Sequence, residues 1–162
     1  MALIGIVAVD RNNAIGKGGA LPWHYSSDLK FFKEQTMGNV CVMGRRTWAT
    51  LKRPLPNRLN VVLSRGLDFG GAGAPAGAFV VRDTGSLLAL IPYLARDVYV
   101  IGGAQIYDAL RAEIDQWIVT RVPLAVEGAD TFMPADFLDG FAPHGTRQLE
   151  EDLHVTFYAR AK

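Results

Sequence analysis

The chain has 162 residues, 49% hydrophobic and 20% charged, which suits one domain with a packed core and argues against disorder. Seventeen basic against sixteen acidic side chains give a formal net charge of +1, too even for a nucleic-acid or anionic-membrane footprint, so any anion site must be local. The single cysteine, Cys41, allows no internal disulfide and no zinc cluster; flanked by Val40 and Val42, it reads as a small core residue. His24, His144 and His154 lack metal-ligand spacing, and no metal site is expected.

In chain order, residues 1–9 are apolar but lack a basic leader and stop at Asp10-Arg11, which predicts a buried strand rather than a signal peptide. Residues 28–35 form an amphipathic helix pattern, with Ser26 or Ser27 as N-cap and with Leu29 and Phe32 facing inward. Phe32 lies one turn after Asp28 and shares its face. Residues 40–43, 59–63 and 98–101 are short, β-branched and apolar on both faces, as central strands of a parallel sheet are. Helical patterns at 47–51, 86–94 and 104–110 alternate with them. The stretch 69–77, rich in Gly and Ala, predicts a surface loop. The richest apolar run, 87–95, contains Pro92 and is too short to span a membrane, so a soluble cytoplasmic protein is expected. Residues 116–122 and 155–159 alternate more and are expected as antiparallel additions to one edge, with Glu150-Glu151-Asp152 a solvated turn. The expected class is α/β.

Three strand ends carry chemistry, and ligands of open α/β sheets bind there. Val100-Ile101-Gly102-Gly103-Ala104-Gln105-Ile106-Tyr107 allows a tight turn and offers unpaired N–H groups to a phosphate. Met43-Gly44-Arg45-Arg46-Thr47 adds two guanidinium forks and a hydroxyl, and Leu63-Ser64-Arg65 adds another pair. Three such segments suit a dinucleotide with an extra 2′-phosphate, NADPH rather than NADH. Taken singly, the glycines could be plain turns and the arginines a solvated pair. Asp28, beside Trp23 and Phe32, would be desolvated and able to hold a cationic or amidine-like ring, although an Asp in a first helical turn can simply favour the dipole.

Together, Ala14-Ile15-Gly16-Lys17, Leu21-Pro22-Trp23, Asp28 with Phe32, Val42-Met43-Gly44-Arg45-Arg46-Thr47-Trp48, Arg53-Pro54-Leu55-Pro56-Asn57-Arg58, Val100-Ile101-Gly102-Gly103 and Asp130-Thr131-Phe132 resemble bacterial dihydrofolate reductase in order and spacing across nearly the whole chain. The resemblance implies one domain over residues 1–162. It implies an eight-stranded, mostly parallel sheet with flanking helices, and reduction of 7,8-dihydrofolate to tetrahydrofolate with NADPH. Asp28 would grip the pterin 2-amino group and N3, supported by the Thr120 hydroxyl, and the carbonyls of Ile6 and Ile101 would complete the clamp. Ile6, Val7, Ala8, Phe32, Leu51 and Leu55 would line the substrate side, and Arg58 would take the α-carboxylate of the glutamate tail. Arg45, Leu63, Ser64 and Arg65 would serve the adenosine 2′-phosphate. Gly44, Arg46, Thr47 and Gly102 to Ile106 would serve the pyrophosphate. Ala8, Ile15 and Gly16 would hold the nicotinamide, with Tyr107 near the hydride-transfer centre.

Residues 15–24, including Leu21 and Trp23, resemble a mobile lid, and Asp130 its latch. The chain departs from the family at Leu21, where many bacterial members carry Met, and at Ala129, an extra residue beside the latch. A monomer inhibited by antifolates such as trimethoprim is implied. Two other readings are an NADPH reductase of a pyrimidine or other heterocycle, and a non-catalytic nucleotide-binding module. NADPH oxidation on adding dihydrofolate separates them.

Overall fold

The computed structural model describes residues 2–19, 23–65 and 76–161. Its elements are β1 (Leu3–Val9), β2 (Ala14–Gly16), α1 (Ser26–Thr36), β3 (Val40–Gly44), α2 (Arg45–Thr50), β4 (Leu59–Leu63), β5 (Phe79–Val81), α3 (Thr84–Leu94), β6 (Val98–Val100), α4 (Ala104–Leu110), β7 (Gln116–Arg121), β8 (Thr131–Phe132), β9 (Phe141–Glu150) and β10 (Leu153–Arg160). An eight-stranded sheet has the order β5-β4-β3-β6-β1-β7-β10-β9, and β2 and β8 form a separate ribbon. The expected class holds: mostly parallel, with antiparallel C-terminal strands. The chain divides into two compact units, Met1–Leu3 with Thr36–Glu113, and Ile4–Gln35 with Ile114–Lys162. Among the described residues no helix is long and apolar enough to cross a membrane.

In the unit built on Thr36–Glu113, β3 pairs in parallel with β4 and with β6, and β4 with β5. Every residue of β3 is buried, as expected of a strand covered on both faces. Cys41, Met43 and Val62 form a core cluster against which Trp48, Leu51, Leu55 and Ile101 pack. Cys41 is fully buried and burial pushes its thiol up to about 11, so it is the core residue its neighbours implied. Helix α2 starts at Arg45, two residues before the expected start, because β3 runs straight into it through Gly44. Helix α3 also starts two residues early: Asp83 is its N-cap, its carboxylate accepting from the Ser86 N–H at 2.7 Å.

In the second unit, β1 and β7 run parallel, with Ile6 opposite Ile118 and Ala8 opposite Thr120. This corrects the expectation for residues 116–122. They form an interior strand, antiparallel only to β10, and Trp117 to Thr120 are buried. Strand β9, mostly exposed and holding Pro143 and Gly145, gave no apolar signal and was not expected. Glu150, Glu151 and Asp152 are exposed at its turn into β10. At α1 the carbonyl of Tyr25 accepts from the N–H groups of Asp28 and Leu29, so Tyr25, not a serine, occupies the cap position. Leu29 does not face inward; it is 50% exposed. Phe31 is the buried aromatic of the helix and meets Phe157 edge-on at 6.1 Å between centroids.

Asp10, just after β1, has a buried carboxylate that organises three backbone amides. Oδ1 accepts from Asn12 at 2.7 Å and Ala14 at 2.8 Å, and Oδ2 accepts from Val126 at 2.8 Å. Burial raises its pKa, but these three bonds outweigh burial and hold the carboxyl below its ordinary value. The native state therefore binds the proton more weakly than the unfolded chain. The resulting stability is present above the unfolded value near 3.8 and is lost as pH falls through the lower native one. Asp10→Asn, which turns an NH2 toward backbone donors, should lose about 1–3 kcal/mol at pH 7 in denaturant unfolding. Its deficit against wild type should shrink below pH 4 as the wild-type carboxyl protonates.

Candidate active site

Asp28 stands in the first turn of α1, half-buried. Thr120, 3% exposed on β7, donates its hydroxyl hydrogen to Asp28 Oδ1 at 2.9 Å. Burial pushes the Asp28 carboxyl above its ordinary range, and the Thr120 bond, which favours the anion, takes back part of that rise. The register that sets Ala8 beside Thr120 brings three expected residues together. Ile6 and Val7 are buried in the same strand and Ala8 is partly so, while Phe32 is partly buried one turn after Asp28. Such a carboxylate can accept two parallel N–H bonds from a flat heterocycle while its remaining oxygen capacity is met by a hydroxyl.

The other unit gathers the three glycine and arginine segments at one sheet edge. Gly44 is opposite Leu63 across β3 and β4, and Val42 is opposite Val100 across β3 and β6, so all three strands end side by side. Helices α2 and α4 leave those ends through Gly44 and Gly103, which offer no side-chain cap. Their first amides stay available to an anion. Arg45, Arg46, Arg65 and Gln105 are exposed, while Thr47, Ser64, Ile101, Gly103, Ala104 and Ile106 are partly buried. The Gly44 N–H donates to the carbonyl of Gly102 at 2.8 Å, and a Cβ on Gly44 would lie 2.8 Å from Ile106 Cγ1. Gly102 has φ +118°, and a Cβ there would meet the Tyr107 ring at 3.3 Å. Tyr107 is 5% exposed, and burial pushes its phenol well above its ordinary value, so it stays protonated.

Leu51, Leu55 and Arg58 belong to this same unit and are partly buried. Arg58 Nε donates to the Pro56 carbonyl at 3.0 Å and Nη1 to Thr36 Oγ1 at 3.1 Å. In the second unit, Ile15 and Gly16 lie on β2, and Asp130 Oδ2 accepts from the Gly18 N–H at 2.8 Å. The extra Ala129 thus leaves that contact in place. Leu21 lies outside the described residues, as do residues 69–75 of the expected loop. The Trp23 indole N–H is buried and has no hydrogen-bond partner among the described residues. Sequence reasoning did not single out Thr36 or Asn60, both buried and polar; the only signal for Asn60 was one amide inside an apolar run.

The dihydrofolate reductase family model matches residues 2–159. The chain belongs to the dihydrofolate reductase family. It is 42% identical to the dihydrofolate reductase of Neisseria meningitidis serogroup A over 131 residues, 80% of this chain and 77% of that one. It is 38% identical to that of Mycobacterium tuberculosis over 140 residues, 83% and 81% of the two. A solved dihydrofolate reductase from Enterococcus faecalis, complexed with NADP(H) and RAB-propyl, superposes with a TM-score of 0.87 at 31% identity, covering 99% of this chain and 97% of that one. The residues present fit the family's cofactor. At Gly44 and Gly102 a side chain would intrude on the turn, and the hydroxyls and guanidinium groups at the strand ends match phosphate oxygens.

Because the Asp28 pKa is raised in the folded dihydrofolate reductase, its ionised form costs stability at neutral pH, and that cost is absent below the unfolded value near 3.8. Asp28→Asn should therefore raise the midpoint of thermal unfolding at pH 7. The gain should vanish toward pH 4. A lower midpoint at pH 7 would contradict the burial argument.

Proposed function

We infer that this dihydrofolate reductase holds the pterin of 7,8-dihydrofolate through Asp28, and the observation that carries this reading is the half-buried carboxylate bonded to Thr120 at 2.9 Å. Bound NADPH supplies the hydride that reduces pterin C6 and yields tetrahydrofolate. Asp28 accepts hydrogen bonds from the 2-amino group and N3–H, and Thr120 fixes which oxygen faces the ring. One carboxyl cannot grip that edge and also touch N5. The N5 proton therefore arrives through water, with Asp28 setting the electronics of the ring. The carbonyls of Ile6 and Ile101 complete the clamp. Ile6, Val7, Ala8, Phe32, Leu51 and Leu55 exclude bulk water from the reacting atoms.

On the cofactor side, Arg45, Ser64 and Arg65, with Leu63 beside them, take the 2′-phosphate. Gly44, Arg46, Thr47 and Gly102 to Ile106 take the pyrophosphate, and Ala8, Ile15 and Gly16 orient the nicotinamide. Tyr107, kept protonated, packs near the reacting ring. Trp23 belongs to the segment covering the nicotinamide, which Asp130 holds at Gly18. Arg58 takes the tail α-carboxylate, where a planar fork suits a planar anion. We propose that residues 1–162 form one catalytic domain, active as a cytoplasmic monomer. Light scattering should give the mass of a single chain.

Loss of NADPH absorbance should require dihydrofolate and be blocked by a diaminopyrimidine antifolate such as trimethoprim. Asp28→Asn should lower turnover by about 10²-fold or more at pH 7 and recover in part in acid, where substrate arrives protonated. A wild-type, pH-independent rate in that variant would remove Asp28 from the mechanism. Arg58→Leu should weaken dihydrofolate binding about tenfold or more while leaving NADPH affinity near wild type. Equal loss of both ligands would contradict the assignment.

A further inference from the structure

Asn60 is a carboxamide within an apolar strand, 2% exposed between Leu59 and Val61 on β4. Burying an amide is unfavourable unless its oxygen and its NH2 group find partners. Both do, on a single loop. Its Oδ1 accepts from the Leu55 N–H at 2.9 Å, and its Nδ2 donates to the carbonyls of Leu55 at 3.0 Å and Arg58 at 3.1 Å. One side chain thus fastens both ends of residues 55–58. Packing alone would be served as well by Leu at position 60, so the amide is there for these backbone groups.

The loop in turn holds the Arg58 side chain. Asn57 sits in the left-handed region at φ 60°, and its carbonyl accepts from the Gly38 N–H at 2.9 Å. The Pro56 carbonyl accepts from Arg58 Nε at 3.0 Å, and the buried Thr36 hydroxyl accepts from Nη1 at 3.1 Å. The direction of the guanidinium plane therefore depends on where the Pro56 carbonyl points, and that depends on the closure Asn60 imposes. A fork oriented before its anion arrives loses less rotamer freedom on binding.

We infer that Asn60 is a positioning residue for the carboxylate tail of the substrate, acting by holding the 55–58 loop so that Arg58 meets the anion already aligned. The inference rests on the reading of Arg58 as the tail-binding arginine. It assigns Asn60 no contact with substrate or cofactor.

The test compares full-length Asn60→Ala, Asn60→Asp and Arg58→Leu, each checked for folding by thermal unfolding. Each is assayed with dihydrofolate, with a dihydropterin that lacks the aminobenzoylglutamate tail, and for NADPH affinity. Asn60→Ala should raise KM for dihydrofolate about five- to tenfold, with kcat, the tail-less substrate and NADPH within about twofold of wild type. On the Arg58→Leu background the same change should add less than about twofold. If Asn60→Ala does not fold, Asn60→Asp decides: it keeps the shape and the oxygen facing Leu55 and removes the NH2 group. An unchanged dihydrofolate KM in a folded variant, or a loss shared equally by all three ligands, overturns the inference. If Arg58→Leu itself leaves dihydrofolate KM unchanged, the reading of Arg58 fails and the inference falls with it. If Arg58→Leu raises KM and the Asn60 variants do not, only the role of Asn60 fails.

Discussion

A carboxylate withdrawn from water and steadied by one hydroxyl is the constraint on which the proposed substrate site rests. Burial alone would drive Asp28 toward its neutral form, which offers one acceptor fewer to a heterocycle. Thr120 counters this with a hydroxyl bond reaching across from β7 to α1. It lies on β7, and the parallel register of β7 with β1 sets Ala8 beside it. Had the register slipped by one residue, every side chain of the strand would face the opposite side of the sheet and the hydroxyl would be lost to the acid. The parallel pairing of β1 and β7 is thus a condition of the proposed pterin grip as well as of the fold.

In the function proposed above, the two ligands pose different recognition problems, met by different means. On the nucleotide side the backbone does much of the work: strands end together, helices begin at once, and glycines keep the turn free of side chains. Few side chains there need exact placement, since phosphate oxygens accept from many directions. On the pterin side a single carboxyl must be aimed, and its helix, its hydroxyl partner and its apolar neighbours come from elements far apart in sequence. The family's cofactor chemistry asks the protein for orientation and dryness rather than for a nucleophile. That division agrees with Cys41 and Tyr107, reactive groups in principle, being buried and held in their neutral forms.

Much of this was legible in the sequence because it rests on local patterns. Short β-branched runs gave β1, β3, β4 and β6 almost to the residue, and the glycines after them gave the helix starts near the sheet edge. The direction of β7 was misread: Gln116, Thr120 and Arg121 give it the mixed pattern of an antiparallel edge strand, yet it pairs in parallel with β1. The inward face of α1 was not legible, since Leu29, Phe31 and Phe32 all fit an apolar stripe and tertiary contacts with Phe157 chose Phe31. Strand β9 escaped because its residues are mostly exposed and its partners, not its composition, make it a strand. Asp10 and Asn60 escaped for a related reason. Their partners are backbone amides and carbonyls, which every residue carries and no motif reveals.

The bond between Asp130 and Gly18 is asymmetric in kind: a side chain accepts and a main-chain amide donates. Gly18 sits at φ +61°, where any side chain strains the backbone that aims this donor, and any change at 130 touches the acceptor itself. The contact therefore ties down both partners by different routes, the glycine through the backbone conformation it alone adopts without strain and the aspartate through its carboxyl.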